Sequence, residues 1–260
     1  MSDHVVLRRG RNVLSSILHV ALNIALAVGS VLITWATKSP VIGLSLVLIS
    51  KWRTFAVRPH YLELNIKANL VDLIVGCSFV LIAYCSGPVF LPIHLILMVL
   101  YSFWLIFLKP RSSELSANLQ SLWAIFFGTT ALVLISANAN AIFMALGGLF
   151  IGYSAVRHVL VQGDDKDYGI IIMASAIISA ELAWLAHSWL IVYSFDSLGV
   201  IIPQLSVVMT IVAALFSRIS KSLKQNDGQL NWSEISMPTI FATLTLILIL
   251  IWFSQPVFNI

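Results

Sequence analysis

The chain has 260 residues, of which 59% are hydrophobic and only 10% charged, with a mean hydropathy of +0.96. A soluble domain of this length carries about a quarter charged residues and cannot hide so much apolar surface from water, so a water-soluble globule is excluded. The net charge of +4 is spread between apolar runs, with no long basic tract, which excludes a nucleic-acid surface.

Apolar runs lie at roughly 13–36, 39–55, 66–86, 89–108, 119–137, 139–157, 169–194, 198–217 and 237–256. A helix needs about 20 residues to cross the hydrocarbon, with about 17 as a lower limit. The expectation is therefore an all-α polytopic helix bundle, one transmembrane domain over 1–260 with about nine spans.

The first run follows Arg8, Arg9 and Arg11, and no small-residue cleavage site closes it, so it reads as a retained span rather than a signal peptide. The second is the weak one. Its uninterrupted core is only Pro40 to Ile49, and it crosses only if Lys51 snorkels and Trp52 anchors at the interface. Alone, it could equally be re-entrant.

Charge decides between these. With nine crossings and an inside N-terminus, the inside segments hold Arg8, Arg9 and Arg11; Lys51, Arg53, Arg58 and Lys67; Lys109 and Arg111; Arg157 and Lys166; and Arg218, Lys221 and Lys224. Lys38 alone of the 15 basic residues falls outside. Translocated loops resist Lys and Arg, so the sequence predicts nine spans, N-terminus inside and C-terminus outside, in a bacterial cytoplasmic membrane. Outside connections are short (Lys38-Ser39, Cys85 to Pro88, Asn138 to Asn140, Phe195 to Ser197), which requires tight antiparallel hairpins. Only the inside loops at about 51–66 and 218–236 are long enough to carry structure of their own.

Between Lys51 and Tyr61, cations and aromatics interleave. The bland reading is charge retention plus an aromatic belt. The sharper one is contact between Lys51, Arg53, Arg58 and His60 and a lipid headgroup or a substrate phosphate. Ser50 to about Asp72 resembles a stretch of multi-pass proteins of small-genome, candidate-phylum bacteria, a resemblance that implies no activity.

Ionisable groups deep in a bilayer are costly and usually face the bundle interior or a wet cavity. Two acids qualify. Asp72 lies about two turns inside the third run and shares a helical face with Asn65, Asn69 and Gly76; it is also close enough to the inner surface to pair with Lys67 or another loop cation. Glu181 lies near the middle of the seventh run, with Trp184 and His187 following it. Glu181, Asp72, Asn69, His187 and Trp184 are the candidate substrate or ion pathway; the alternative is that the acids only fix helix packing.

The Gly148-x-x-x-Gly152 step on the sixth run allows close backbone approach. It predicts packing within the chain first, and a homo-oligomer or larger membrane complex second. Cys77 and Cys85 read as packing residues. His19, His94, His158 and His187 sit on four different runs, without the shared-helix pairing of bis-histidine haem sites. No nucleotide, metal or hydrolase motif is present, so no cofactor, metal or catalytic residue is assigned, and an enzyme is not the expectation.

Two functions from different classes follow. One is a small-solute or ion transporter using the intramembrane carboxylates. The other is a structural or assembly subunit of a membrane complex, whose mark would be surface seams and no wet central cavity. A membrane enzyme acting on lipid-linked phosphate through Arg53, Arg58 and His60 comes third. Where Glu181 faces separates the first two.

Overall fold

The computed structural model describes residues 3–56, 58–87, 89–160, 169–188, 191–195, 198–226, 229 and 231–252. Side chains of the N-terminal cations Arg8, Arg9 and Arg11, and those of Arg53, Lys166 and Lys224, lie outside the described set.

The elements in order are α1 (Asp3–Thr37), α2 (Pro40–Ser50), α3 (Trp52–Phe55), α4 (Pro59–Ala68), α5 (Leu70–Cys85), α6 (Pro92–Phe103), a π turn (Trp104–Leu108), α7 (Glu114–Ser136), α8 (Ala141–Leu160), α9 (Gly169–Ser188), β1 (Val192–Phe195), β2 (Val200–Pro203), α10 (Gln204–Gln225) and α11 (Trp232–Trp252). Each of the nine apolar runs contains helix. Among the described residues, α1, α7, α8, α9, α10 and α11 are long and apolar enough to cross a membrane. The pair α4 and α5 is bent by 58°, and α2 and the α6–π segment are shorter. The chain is a multi-pass integral membrane protein.

The short α5 is the centre of the packing. Eleven of its sixteen residues are buried, and it touches α1, α2, α6, α7 and α8. A helix that is apolar on nearly every side is buried in the protein, and α5 follows that rule. Its aromatic neighbours form one block: Phe79 stacks on Tyr101 at 5.0 Å and meets Phe127 at 4.7 Å. At the other extreme, α11 packs mainly on α10 and leaves most of its surface exposed.

Two features depart from the sequence expectation. The chain breaks at Asn69, which divides the proposed stripe of Asn65, Asn69, Asp72 and Gly76 between two helices of different direction. The cause is local. Asn69 turns its amide back onto the Asn65 carbonyl at 2.8 Å, an alternative to continuing the helix. Meanwhile the Asn65 amide donates to the Thr54 carbonyl at 2.8 Å and ties α4 to α3.

The second departure is a β-hairpin where the sequence predicts two helical spans meeting at a short connection over Phe195 to Ser197. Val192 to Phe195 pairs antiparallel with Val200 to Pro203. β-Branched and aromatic residues favour the pleated conformation, and Gly199 closes the turn at φ +66. The hairpin caps α6, with the Ile93 amide donating to the Leu198 carbonyl at 3.0 Å. A Cβ on Gly199 would come within 2.6 Å of Leu91, so both backbone sign and space demand glycine.

Candidate functional site

Three helix ends converge on Asp72, a buried residue of the first turn of α5. Lys51, just past the end of α2, turns inward and donates to Asp72 Oδ2. Its side chain is 5% exposed, so it does not snorkel and is not presented to a lipid headgroup. Lys109, just past the π turn, places its Nζ 2.9 Å from the same oxygen. Trp104, the first residue of that turn, donates from Nε1 to Oδ1 at 3.1 Å. Stacking on Trp123 at 6.0 Å holds the indole in place.

Both carboxylate oxygens are therefore used as acceptors. Taking such charges out of water is costly, and close pairing plus an added hydrogen bond is what offsets it. One carboxylate between two ammoniums leaves an excess of one positive charge. Lys109, with its side chain 40% exposed, carries that excess to the surface. One turn deeper, a Cβ on Gly76 would meet Val47 at 2.8 Å and the Tyr101 hydroxyl at 2.9 Å. That buried hydroxyl has no hydrogen-bond partner among the described residues. The arrangement clamps α2, α5 and α6 together at one end of the bundle.

The remaining candidates do not join this cluster. Asn69 spends its amide on Asn65, and Lys67 pairs with Glu63. Arg58 and His60 are exposed, and the His60 ring lies edge-on to Tyr61 at 5.1 Å. Glu181 is exposed on the outer side of α9, flanked on the same face by Ile177, Ile178, Trp184 and Leu185, all exposed. His187 is half-buried, and its Nδ1 is buried without a partner among the described residues.

Gly148 and Gly152 pack within the chain. A Cβ on Gly148 would approach Ala183 Cβ at 2.6 Å and the Ser179 carbonyl at 2.7 Å, and one on Gly152 would press on the Ser179 side chain and lie 3.2 Å from the Ser175 carbonyl. Small residues on both helices allow this contact.

The histidines meet separate surroundings. His158 Nε2 contacts Gln120 Oε1 at 2.7 Å, His94 Nδ1 caps the Leu91 amide at 3.2 Å, and His19 meets Asn23. Among the described residues, no group of three or more His, Cys, Asp or Glu could hold a metal.

A cavity of about 350 Å³ lies among α7, α8, α9 and α10. Its walls are apolar apart from Asn118, several serines and the backbone; Ser217 donates to Asn118 at 2.6 Å. Neither Asp72 nor Glu181 lines it.

Trp104, Lys109 and Tyr101 had no part in the site read from the sequence. The three charged members of the cluster lie tens of residues apart, and no period links them. Comparison with known proteins returns no matching family model, no similar curated protein and no similar solved structure.

Proposed function

We propose that this chain is an assembly subunit of a membrane complex. It would cross the membrane nine times with its N-terminus inside, and dock a partner span on the outer face of α9. The observation that carries this reading is the position of Glu181. Seven residues separate it from the end of α9, about 10 Å along the axis, so it lies well inside a hydrocarbon layer about 30 Å thick. Facing lipid there, a charged side chain costs about 2.5–3.5 kcal/mol on insertion scales. A hydrogen-bond donor on a neighbouring span removes that cost and adds about 1 kcal/mol. The partner is therefore a transmembrane helix carrying a basic or amide side chain at mid-depth, set in an apolar surface that matches Ile177, Ile178 and Leu185.

The orientation is supported by the basic residues and by α2, which fills the core of the second run. Reporters placed after Lys38 and near Asn226 should report opposite faces of the membrane.

The docking face is tested with photocrosslinkers at Ile177 and Leu185, both exposed and off the cavity wall. Both should capture one partner of defined mass in membranes. Capture should survive Glu181→Gln, which keeps a hydrogen-bonding group, and fall several-fold in Glu181→Leu. Undiminished capture in Glu181→Leu would remove Glu181 from the interface.

A small-solute or ion transporter is the second reading, favoured by the cavity among α7 to α10. It stands second because both acids lie off the cavity walls.

A further inference from the structure

We infer that Lys38, Trp35 and Tyr84 form a binding site for a phosphate oxyanion at the outer end of the bundle. The three residues, with Thr34, Ala83 and Gly87, line a cavity of about 220 Å³ between α1, the turn into α2 and the end of α5. That is below the 300–1,000 Å³ of sites for larger organic ligands, and suits a single headgroup-sized anion.

Two independent costs converge on Lys38. Its backbone sits at φ +52 just past the end of α1, a left-handed position where Gly or Asn is favoured. Among the described residues it is the one non-glycine residue with a positive φ. It is also the one basic residue that the nine-span orientation sends outside, against the bias of translocated loops. A sequence selected only for a tight turn would place glycine here and avoid both. An ammonium with work to do at this place accounts for the choice, since strained backbone positions concentrate at functional sites.

The surroundings fit an oxyanion. Trp35 is held edge-on to Phe90 at 5.1 Å and supplies one wall. Tyr84, exposed at 45%, lines the same cavity as Lys38 and carries a hydroxyl able to donate. A lysine ammonium is a compact point charge suited to phosphate. A lipid headgroup and free phosphate present the same chemistry.

The site rests on the orientation proposed above. An impermeant thiol reagent acting on Lys38→Cys in sealed vesicles reads the side of the membrane separately from any binding. For binding, the full chain is purified in a maltoside detergent, which carries no phosphate. It is then titrated with inorganic phosphate, and separately with phosphatidylglycerol counted by native mass spectrometry.

One ligand per chain is expected, retained in Lys38→Arg and weakened at least tenfold in Lys38→Gly. The same Lys38→Gly variant should melt at a higher temperature, because glycine takes the left-handed backbone freely, so weaker binding cannot be put down to misfolding. Binding of phosphate without lipid identifies a free anion, and binding of lipid without phosphate identifies a headgroup; either supports the site. Absence of both from the native chain, or unchanged binding in Lys38→Gly, overturns it.

Discussion

The amide of Lys109 donates to the carbonyl of Trp104 at 2.9 Å, a hydrogen bond spanning five residues, and the side chains of both residues reach Asp72. In a regular α-helix, residues five apart point roughly 140° away from each other. The π turn widens the helix by one residue, so that the indole and the ammonium meet the same carboxylate. Such widenings of α-helices frequently mark functional positions. Here the widening completes the clamp that joins α2, α5 and α6.

The clamp should show strong non-additivity. Asp72→Leu leaves Lys51 buried without a counter-charge and should cost about 3–5 kcal/mol, the penalty for an uncompensated buried ion. Lys51→Met alone should cost less, because Lys109 and Trp104 still serve the carboxylate. The double variant Lys51→Met/Asp72→Leu replaces the pair by apolar groups and should recover most of the loss. Thermal unfolding in a fixed detergent measures all three. Additive losses would show that the pair contributes nothing as a unit.

The reach of the sequence follows from the range of each interaction. Apolar runs are set by the bilayer, which demands some 20 residues at a time, and so the helices could be placed by reading along the chain. The sequence places Asp72 on a pathway or, failing that, close enough to the inner surface to pair with Lys67 or another loop cation; Lys67 instead pairs with Glu63. The actual partners Lys51 and Lys109 come from other helices, and no spacing rule connects them to Asp72. The helix break at Asn69 and the β-hairpin at 192–203 did have local signals. An amide able to bond back to its own helix was one, and Val-Tyr facing Val-Ile-Ile across a Gly-containing turn was the other. Continuous hydrophobicity concealed both.

The π turn predicts a contrast between two one-residue deletions. Removing the exposed Phe107 shortens the five-residue step to four, which in an α-helix keeps Trp104 and Lys109 roughly on one face. The clamp should survive, with a stability change within about 1 kcal/mol as for other exposed changes. Removing Val99, also exposed but upstream in α6, rotates Trp104 by about 100° relative to the start of that helix. That deletion should expose the indole, seen as a red shift and quenching of tryptophan emission. Equal effects from both deletions would mean that the widened turn has no part in placing the two side chains.

The α8–α9 seam makes a finer distinction between adjacent glycines. A methyl on Gly148 meets Ala183 and the Ser179 backbone, neither of which can swing aside, so Gly148→Ala should destabilise by about 1–3 kcal/mol, the range for overpacking. A methyl on Gly147 meets only the flexible end of Leu132. Rotation of that leucine can relieve the contact, so Gly147→Ala should cost little, helped by the better helix propensity of alanine. Melting temperatures in the same detergent should rank native and Gly147→Ala together and Gly148→Ala well below. The reverse order would show that α8 faces α9 with a different side.

Glu181 is where stability and assembly should part company. In the isolated chain, Glu181 lies exposed on the outer face of α9 among apolar side chains, and no hydrogen bond or ion pair engages its carboxyl among the described residues. Glu181→Leu should therefore leave the purified monomer as stable as the native chain or more so, since a costly polar group leaves an apolar surface. In membranes the same substitution should lower the fraction of chain in the larger assembly several-fold, about 1 kcal/mol being the scale of one interhelical hydrogen bond. A group that held only the monomer together would move both measurements in the same direction. Opposite signs, with melting of the monomer unchanged or raised and the complex reduced, are expected only if the carboxyl is kept for a second helix. A monomer clearly destabilised by Glu181→Leu would show instead that Glu181 serves the fold of this chain.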